Sequence, residues 1–288
     1  MIQLSLFLYG LITAGIYSLI ALGFSLSSGT LHILNIAHGD FVMIGAYITY
    51  WLFTLYNVNP LLSIIFSFSA SLIIAFFVDK LVINPLELKC KNIEEFHSVS
   101  VLVFFALSML LQNMVFLLWG ANYVGYTYLD TPILILGVPI AAIRLIIAIV
   151  AYLCAITLHL FLFETYTGTS IRAFSQNKER ALLIGINVNR LRFIILGISV
   201  ALAGIAGSLI SALYAIFPAI GGSYLIRAMC IAALGGLGSM KGAIFGSIIL
   251  GFSESFVTFY IGSGLQDLLA YSVLVLILLV KPSGLFAR

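Results

Sequence analysis

Apolar and polar positions follow one another along this chain in long blocks, not in short periods. Uncharged apolar runs occupy about 6–28, 41–56, 60–78, 98–119, 139–163, 193–216, 242–260 and 265–280. Each is of the order of the ~20 residues an α-helix needs to cross the hydrocarbon core of a bilayer. Two stretches fit less well. The segment 223–237 is apolar but holds Arg227 and runs into Gly235, Gly236 and Gly238, and the short segment 31–40 carries His32, Asn35, His38 and Asp40. The pattern predicts an all-α, polytopic transmembrane helix bundle of about eight spans (eight or nine). It forms one domain over 1–288, with the longest polar stretch at 164–192 and no soluble domain of any size.

Composition agrees. Hydrophobic residues make up 62% and charged residues 8% of 288 positions, and the mean hydropathy is +1.20. A soluble domain carries about 25% charged residues, so the bilayer has to be the solvent. A net charge of +3 gives no reason to expect a nucleic-acid partner. Cys90, Cys154 and Cys230 are odd in number and widely spaced, which supports neither a disulfide framework nor a metal motif. Their expected role is that of small hydrophobes in helix interfaces. Met1–Leu6 lacks a basic region and leads into an apolar run too long for a signal peptide, so this end reads as a retained span.

Basic residues orient the chain, because cytoplasmic loops are enriched in Lys and Arg. Lys80, Lys89 and Lys91 lie between the third and fourth runs, and Arg172, Lys178, Arg180, Arg190 and Arg192 between the fifth and sixth. Both loops are expected to be cytoplasmic. Gly120–Leu136 and the segments near 56–60 and 217–222 have no basic residue and are expected outside. If 223–237 crosses fully, Lys241, Lys281 and Arg288 are cytoplasmic; if it only dips in, the C-terminus is external. The charges favour the first.

Irregular backbone at membrane depth survives only where protein or a water-lined cavity satisfies it. Asn35–Asp40 and Leu234–Ala243 both look irregular and sit at comparable points, after the first and sixth runs. Paired interruptions of two half-repeats point to a transport site, so Asn35, His38, Gly39, Asp40, Gly235, Gly236, Gly238 and Ser239 are the candidate substrate pathway. Close helix packing is the competing role for the glycines, and the only one expected of Gly204, Gly207, Gly221 and Gly222. Asp40 either faces a cavity or caps the second helix. Glu254, inside an apolar run, either faces a cavity or bonds to a neighbouring helix. His32 and His38 are not spaced as a zinc pair, and no metal is expected.

In the polar stretch, Asn177 can cap a short helix, Glu179 suits its first turn and Gly185 can end it. The result is about two turns, Lys178–Ile184, with Ala181, Leu182 and Ile184 apolar. Such a helix either floats at the interface or docks into a groove on a soluble partner.

Several stretches together carry a family resemblance. They are Gly15–Gly23, Asn35-Ile36-Ala37-His38-Gly39, Ala181–Asn187, Leu234-Gly235-Gly236-Leu237-Gly238-Ser239 and the tail Lys281-Pro282-Ser283-Gly284-Leu285-Phe286. In this order and spacing the chain resembles the permease subunits of bacterial ABC importers for branched-chain amino acids. The resemblance implies a second permease chain (homo- or heterodimer), two ATP-binding subunits, an extracytoplasmic solute-binding protein and a place in the bacterial inner membrane. It assigns Arg172, Lys178, Glu179, Arg180, Ala181, Leu182 and Gly185 to ATPase coupling. Where family members often have an acidic or apolar residue before Ala181, this chain has Lys178-Glu179-Arg180. Relatives for urea, short amides and other amino acids leave the solute open.

The chain carries no Gly-Lys-Ser/Thr phosphate loop, so ATP and magnesium are expected on the partner and no cofactor here. It has no nucleophile–base set, so an enzyme is not expected. A secondary carrier would want paired ionisable groups at mid-depth, where only Asp40 and Glu254 could serve. A channel or scaffold would not need the coupling helix.

Overall fold

The computed structural model describes residues 2–281 and 284–286. Twelve α-helices follow in order: α1 (Ile2–Leu31), α2 (His38–Tyr56), α3 (Pro60–Val78), α4 (Asn84–Lys89), α5 (Ile93–Trp119), α6 (Ala142–Glu164), α7 (Tyr166–Gln176), α8 (Lys178–Leu183), α9 (Val188–Ser211), α10 (Ile220–Gly235), α11 (Met240–Tyr260) and α12 (Gln266–Val280). A π-turn over Asp79–Ile83 joins α3 to α4.

The helix starts are written in capping residues. Asn59, Asn92, Asn177 and Asn187 each accept a hydrogen bond from a first-turn N–H, as do Thr165 and Ser239. Each satisfies a donor that the helix itself leaves unpaired.

Six helices combine the length and hydropathy of a membrane span: α1, α3 running on through α4, α5, α6, α9 and α11. α10 and α12 are apolar but shorter, and α2 opens with a polar turn. At the centre, α1 packs on α11, α9 and α6, and α9 packs on α2 and α3. α1 and α9 are the most buried; α3, α5 and α6 are peripheral. The outer helices show large apolar side chains such as Leu102, Phe105 and Leu117 to the surroundings, which suits lipid and not water. Backbones close up where small residues meet: a Cβ on Gly45 would lie 2.2 Å from Gly204 O.

Four details depart from the sequence reading. α1 runs to Leu31 and α2 starts at His38, so the first break is His32–Ala37 and His38, Gly39 and Asp40 form a helical turn. Asp40 is therefore not the cap: its N–H already donates to Ala37 O (3.0 Å), and Ala37 holds the capping position without a side-chain bond. Inside Gly120–Leu136 and the start of the fifth apolar run lies a β-hairpin, β1 (Pro132–Ile135) antiparallel to β2 (Val138–Ala141). Its two turn residues, Leu136 and Gly137, have positive φ (51° and 84°), which matches the twist of a tight hairpin. Finally, a Cβ on Gly222 would meet nothing within 4 Å, so close packing does not explain that glycine as it does Gly204, Gly207 and Gly221.

The hairpin loop is anchored to the bundle by Val124 and Ile216, which exchange backbone bonds of 2.9 and 2.8 Å. Tyr126 adds a hydrogen bond shared with Ser211 Oγ (3.1 Å). Burial pushes the Tyr126 phenol up to about 12, so it stays neutral. At the other face, Leu285 N donates to Leu234 O (2.8 Å), setting the tail against the end of α10. Pro282, Ser283 and Arg288 lie outside the described residues. Cys90, Cys154 and Cys230 are free thiols.

Candidate functional site

Both helix breaks land on the same helix. After α1, His32 takes φ 53° and the chain doubles back. His38 then hydrogen-bonds through Nε2 to Ile20 O (3.0 Å), so the first turn of α2 lies well back along α1 from Leu31. Because a carbonyl only accepts, Nε2 carries the proton. Gly39 packs on Gly221, where a Cβ would come within 1.9 Å of Gly221 O. Asp40 accepts from Gln112 Nε2 (2.9 Å) on α5. Asn35, His38 and Asp40 are buried, and neither polar atom of the Asn35 side chain, nor His38 Nδ1, has a partner among the described residues.

The second break joins α10 to α11. Gly236 and Gly238 have φ of 88° and 81°, a region that favours glycine. Gly238 N donates to Ser25 Oγ of α1 (3.1 Å), and Gly238 packs on Gly29. Ser239 Oγ accepts from Gly242 N (3.1 Å) and starts α11, while Gly235 packs on Gly242. The two breaks thus meet α1 between Ile20 and Gly29.

Of the candidate pathway residues, Gly238 and Ser239 line a cavity of about 1280 Å³ bounded by α1, α7, α10 and α12. Asn35, His38, Gly39 and Asp40 do not; His38 meets α1, Gly39 meets α10 and Asp40 meets α5. Gly235 and Gly236 sit in the backbone contacts that shape the turn.

The coupling candidates form a compact unit. Asn177 Oδ1 accepts from Arg180 N (2.9 Å), and Gly185, at φ 82°, closes α8. There Ile186 N reaches Ala181 O (3.1 Å) and Gly185 N reaches Leu182 O (3.0 Å), the paired bonds of a Schellman ending. Ala181 faces inward, so its expected part in coupling would lie in holding α8 in place, not in direct contact. Leu182, Leu183 and Ile184 project outward, with Glu179 and Arg180 exposed beside them. Lys178 is held within the chain, paired with Glu87. Arg172 sits on α7, over the Phe163 ring (4.8 Å). α7 itself went unexpected, because its Thr and Ser residues read as loop.

Two ion networks also escaped the sequence reading. Arg192, buried at the start of α9, bonds Asp79 Oδ1 (2.7 Å), Asn84 Oδ1 (3.0 Å) and Glu87. Glu87 therefore joins Arg192 to Lys178 and ties α8 to the long α3–α4 arm. Within the bundle, Arg227 Nε donates to Glu254 Oε1 (2.9 Å), Arg227 pairs with Asp267 (2.8 Å), and Tyr17 donates to Glu254. Glu254 is thus a partner of neighbouring helices. Opposite charges in neighbouring apolar segments were the available signal. No group of three or more metal-ligating side chains occurs among the described residues.

The family model for the permease component of branched-chain amino acid transport systems matches residues 6–279. The chain belongs to this family. It is 29% identical to the high-affinity branched-chain amino acid transport system permease protein BraD of Pseudomonas aeruginosa, over 97% of this chain and 94% of that protein. It is 28% identical to LivH of Escherichia coli K12, with the same coverage, and 28% identical to a probable LivH of Methanocaldococcus jannaschii, over 96% of this chain and 90% of that one. No solved structure matches it. As a family member with six helices long and apolar enough to span, it is a multi-pass membrane transport protein.

Proposed function

We propose that this chain is the membrane-spanning subunit of an ATP-driven importer in a bacterial inner membrane, carrying branched-chain amino acids. It pairs with a second permease chain and two ATP-binding subunits, and an extracytoplasmic binding protein delivers the solute. ATP and magnesium belong to the ATP-binding subunits, so this chain is a non-catalytic pore component. The observation that carries the reading is α8, a short helix capped at both ends. It shows three consecutive apolar side chains, Leu182, Leu183 and Ile184, on the face where the basic loops gather. A bare apolar tip on a rigid, ion-paired base suits a groove on a moving partner.

The path is assigned to the region where the breaks meet α1, with Asn35, His38, Gly39 and Asp40 on one side and Gly235, Gly236, Gly238 and Ser239 on the other. Broken helices offer backbone N–H and C=O groups to a zwitterion without fixed charge. Weak contacts of this kind allow release, and selective binding falls to the delivery protein.

The test is purification of the tagged full chain from its own membranes. An ATP-hydrolysing subunit should come with it, and proteoliposomes of the complex should take up leucine only with ATP and binding protein. Uptake by the chain alone, driven by an ion gradient, would make it a secondary carrier.

A further inference from the structure

The cavity beside the second break is a cleft. Residues of α1, α6, α7, α10, α11 and α12 line it. Leu162, Phe163, Leu274 and Leu278 make its flanks apolar. Two cations, Arg172 and Lys241, line it, and among the described residues no carboxylate does. Arg172 is already posed: its guanidinium lies over Phe163 (4.8 Å) and one amino group donates to Thr169 Oγ1 (3.2 Å). Its Nε is buried with no partner among the described residues. α11 starts in the same wall at Met240, so the positive end of its dipole adds to the two cations.

We propose that this cleft binds an anionic phospholipid of the cytoplasmic leaflet, its phosphate between Arg172 and Lys241 and its acyl chains along α6 and α12. Charge complementarity selects the head, because two cations with no counter-charge among the described residues favour an anion. Apolar flanks select a ligand with long hydrocarbon chains. Size suits a lipid better than a single amino acid: about 1280 Å³ exceeds the roughly 300–1,000 Å³ of sites that enclose drug-sized ligands. Because Leu237–Lys241 is a wall of the cleft, bound lipid would brace the second break. The inference rests on the proposed orientation, with this face cytoplasmic.

The test is native mass spectrometry of the assembled complex in detergent, titrated with dioleoylphosphatidylglycerol and, separately, with dioleoylphosphatidylcholine. Phosphatidylglycerol should be retained more tightly. R172Q and K241Q should each weaken it about fivefold, and the double variant about thirtyfold, with phosphatidylcholine unchanged. Arg172→Lys should keep most of the retention, and Lys89→Gln with Lys91→Gln all of it. Equal retention of the two lipids by the unaltered complex overturns the proposal without any variant needing to fold. So does displacement by glycerol 1-phosphate at equal concentration, which would mean a site for the phosphate alone. A double variant that keeps its phosphatidylglycerol but splits the permease pair would assign the cleft to the second copy instead. Uptake is not measured, so failure here leaves the transport reading standing.

Discussion

Arg227 bonds carboxylates from two different helices, Glu254 at 2.9 Å and Asp267 at 2.8 Å. The two are not equivalent. Glu254 is buried while half of the Asp267 side chain is exposed (2% against 52%). Removing one partner of a buried pair leaves an uncompensated charge and costs about 3–5 kcal/mol, whereas exposed pairs are worth about 0–1 kcal/mol. Glu254→Ala should therefore lower the thermal unfolding midpoint of the detergent-purified chain strongly, and Asp267→Asn only slightly. Combining Arg227→Met with Glu254→Leu should recover much of the loss, since the pair can be replaced by apolar volume. If Glu254→Ala melts with the parent, the network contributes nothing. At this scale the sequence showed that Glu254 needed an explanation but not its partner. Arg227 reaches it from the preceding helix, but Tyr17 comes from α1, at the far end of the chain. Gly45 and Gly204 are a similar case, small residues whose partners only packing reveals.

At the scale of the element, α8 was legible because its signals are local. Asn177, Glu179 and Gly185 occupy the positions that start, favour and end a two-turn helix. Asn177→Ala should weaken the helix by about 1 kcal/mol. Gly185→Val adds a β-branched side chain at φ 82°, costing about 1–3 kcal/mol. Both should reduce ATP-dependent uptake while membrane insertion, read by protease protection, is unchanged. Leu183→Asp should release the ATP-binding subunit from the purified complex without disturbing the fold, because that side chain projects outward. Ala181→Asp is a poor probe of docking, since its burial would damage the loop itself. Retention of the subunit by Leu183→Asp would remove α8 from the interface. α7 escaped notice for the converse reason: Ile171 and Phe174 are buried against the bundle, and the rest of the helix is polar.

Over the whole molecule, the two basic loops, the α10–α11 turn and the tail share one face, and the hairpin and the ends of α2 and α5 share the other. A cysteine at Asn177, in a background lacking Cys90, Cys154 and Cys230, should resist an impermeant thiol reagent added to intact cells. One at Leu134, exposed on β1, should react. Labelling at Asn177 from outside would invert the topology. Gly236→Leu and Ser239→Leu should block uptake while the complex still hydrolyses ATP; normal uptake by both would leave these residues only a packing role. Apolar length and caps determined the helical class and most helix limits, and the basic loops set the expected orientation, since each depends on neighbours in the chain and on solvent. The tertiary structure alone decided that two breaks nearly 200 residues apart close on one stretch of α1, which carboxylates meet Arg227, and that a cleft lined by Arg172 and Lys241 opens beside α12. Those outcomes depend on which surfaces pack together across the bundle, and a hydropathy pattern that is apolar all round does not distinguish one helix face from another.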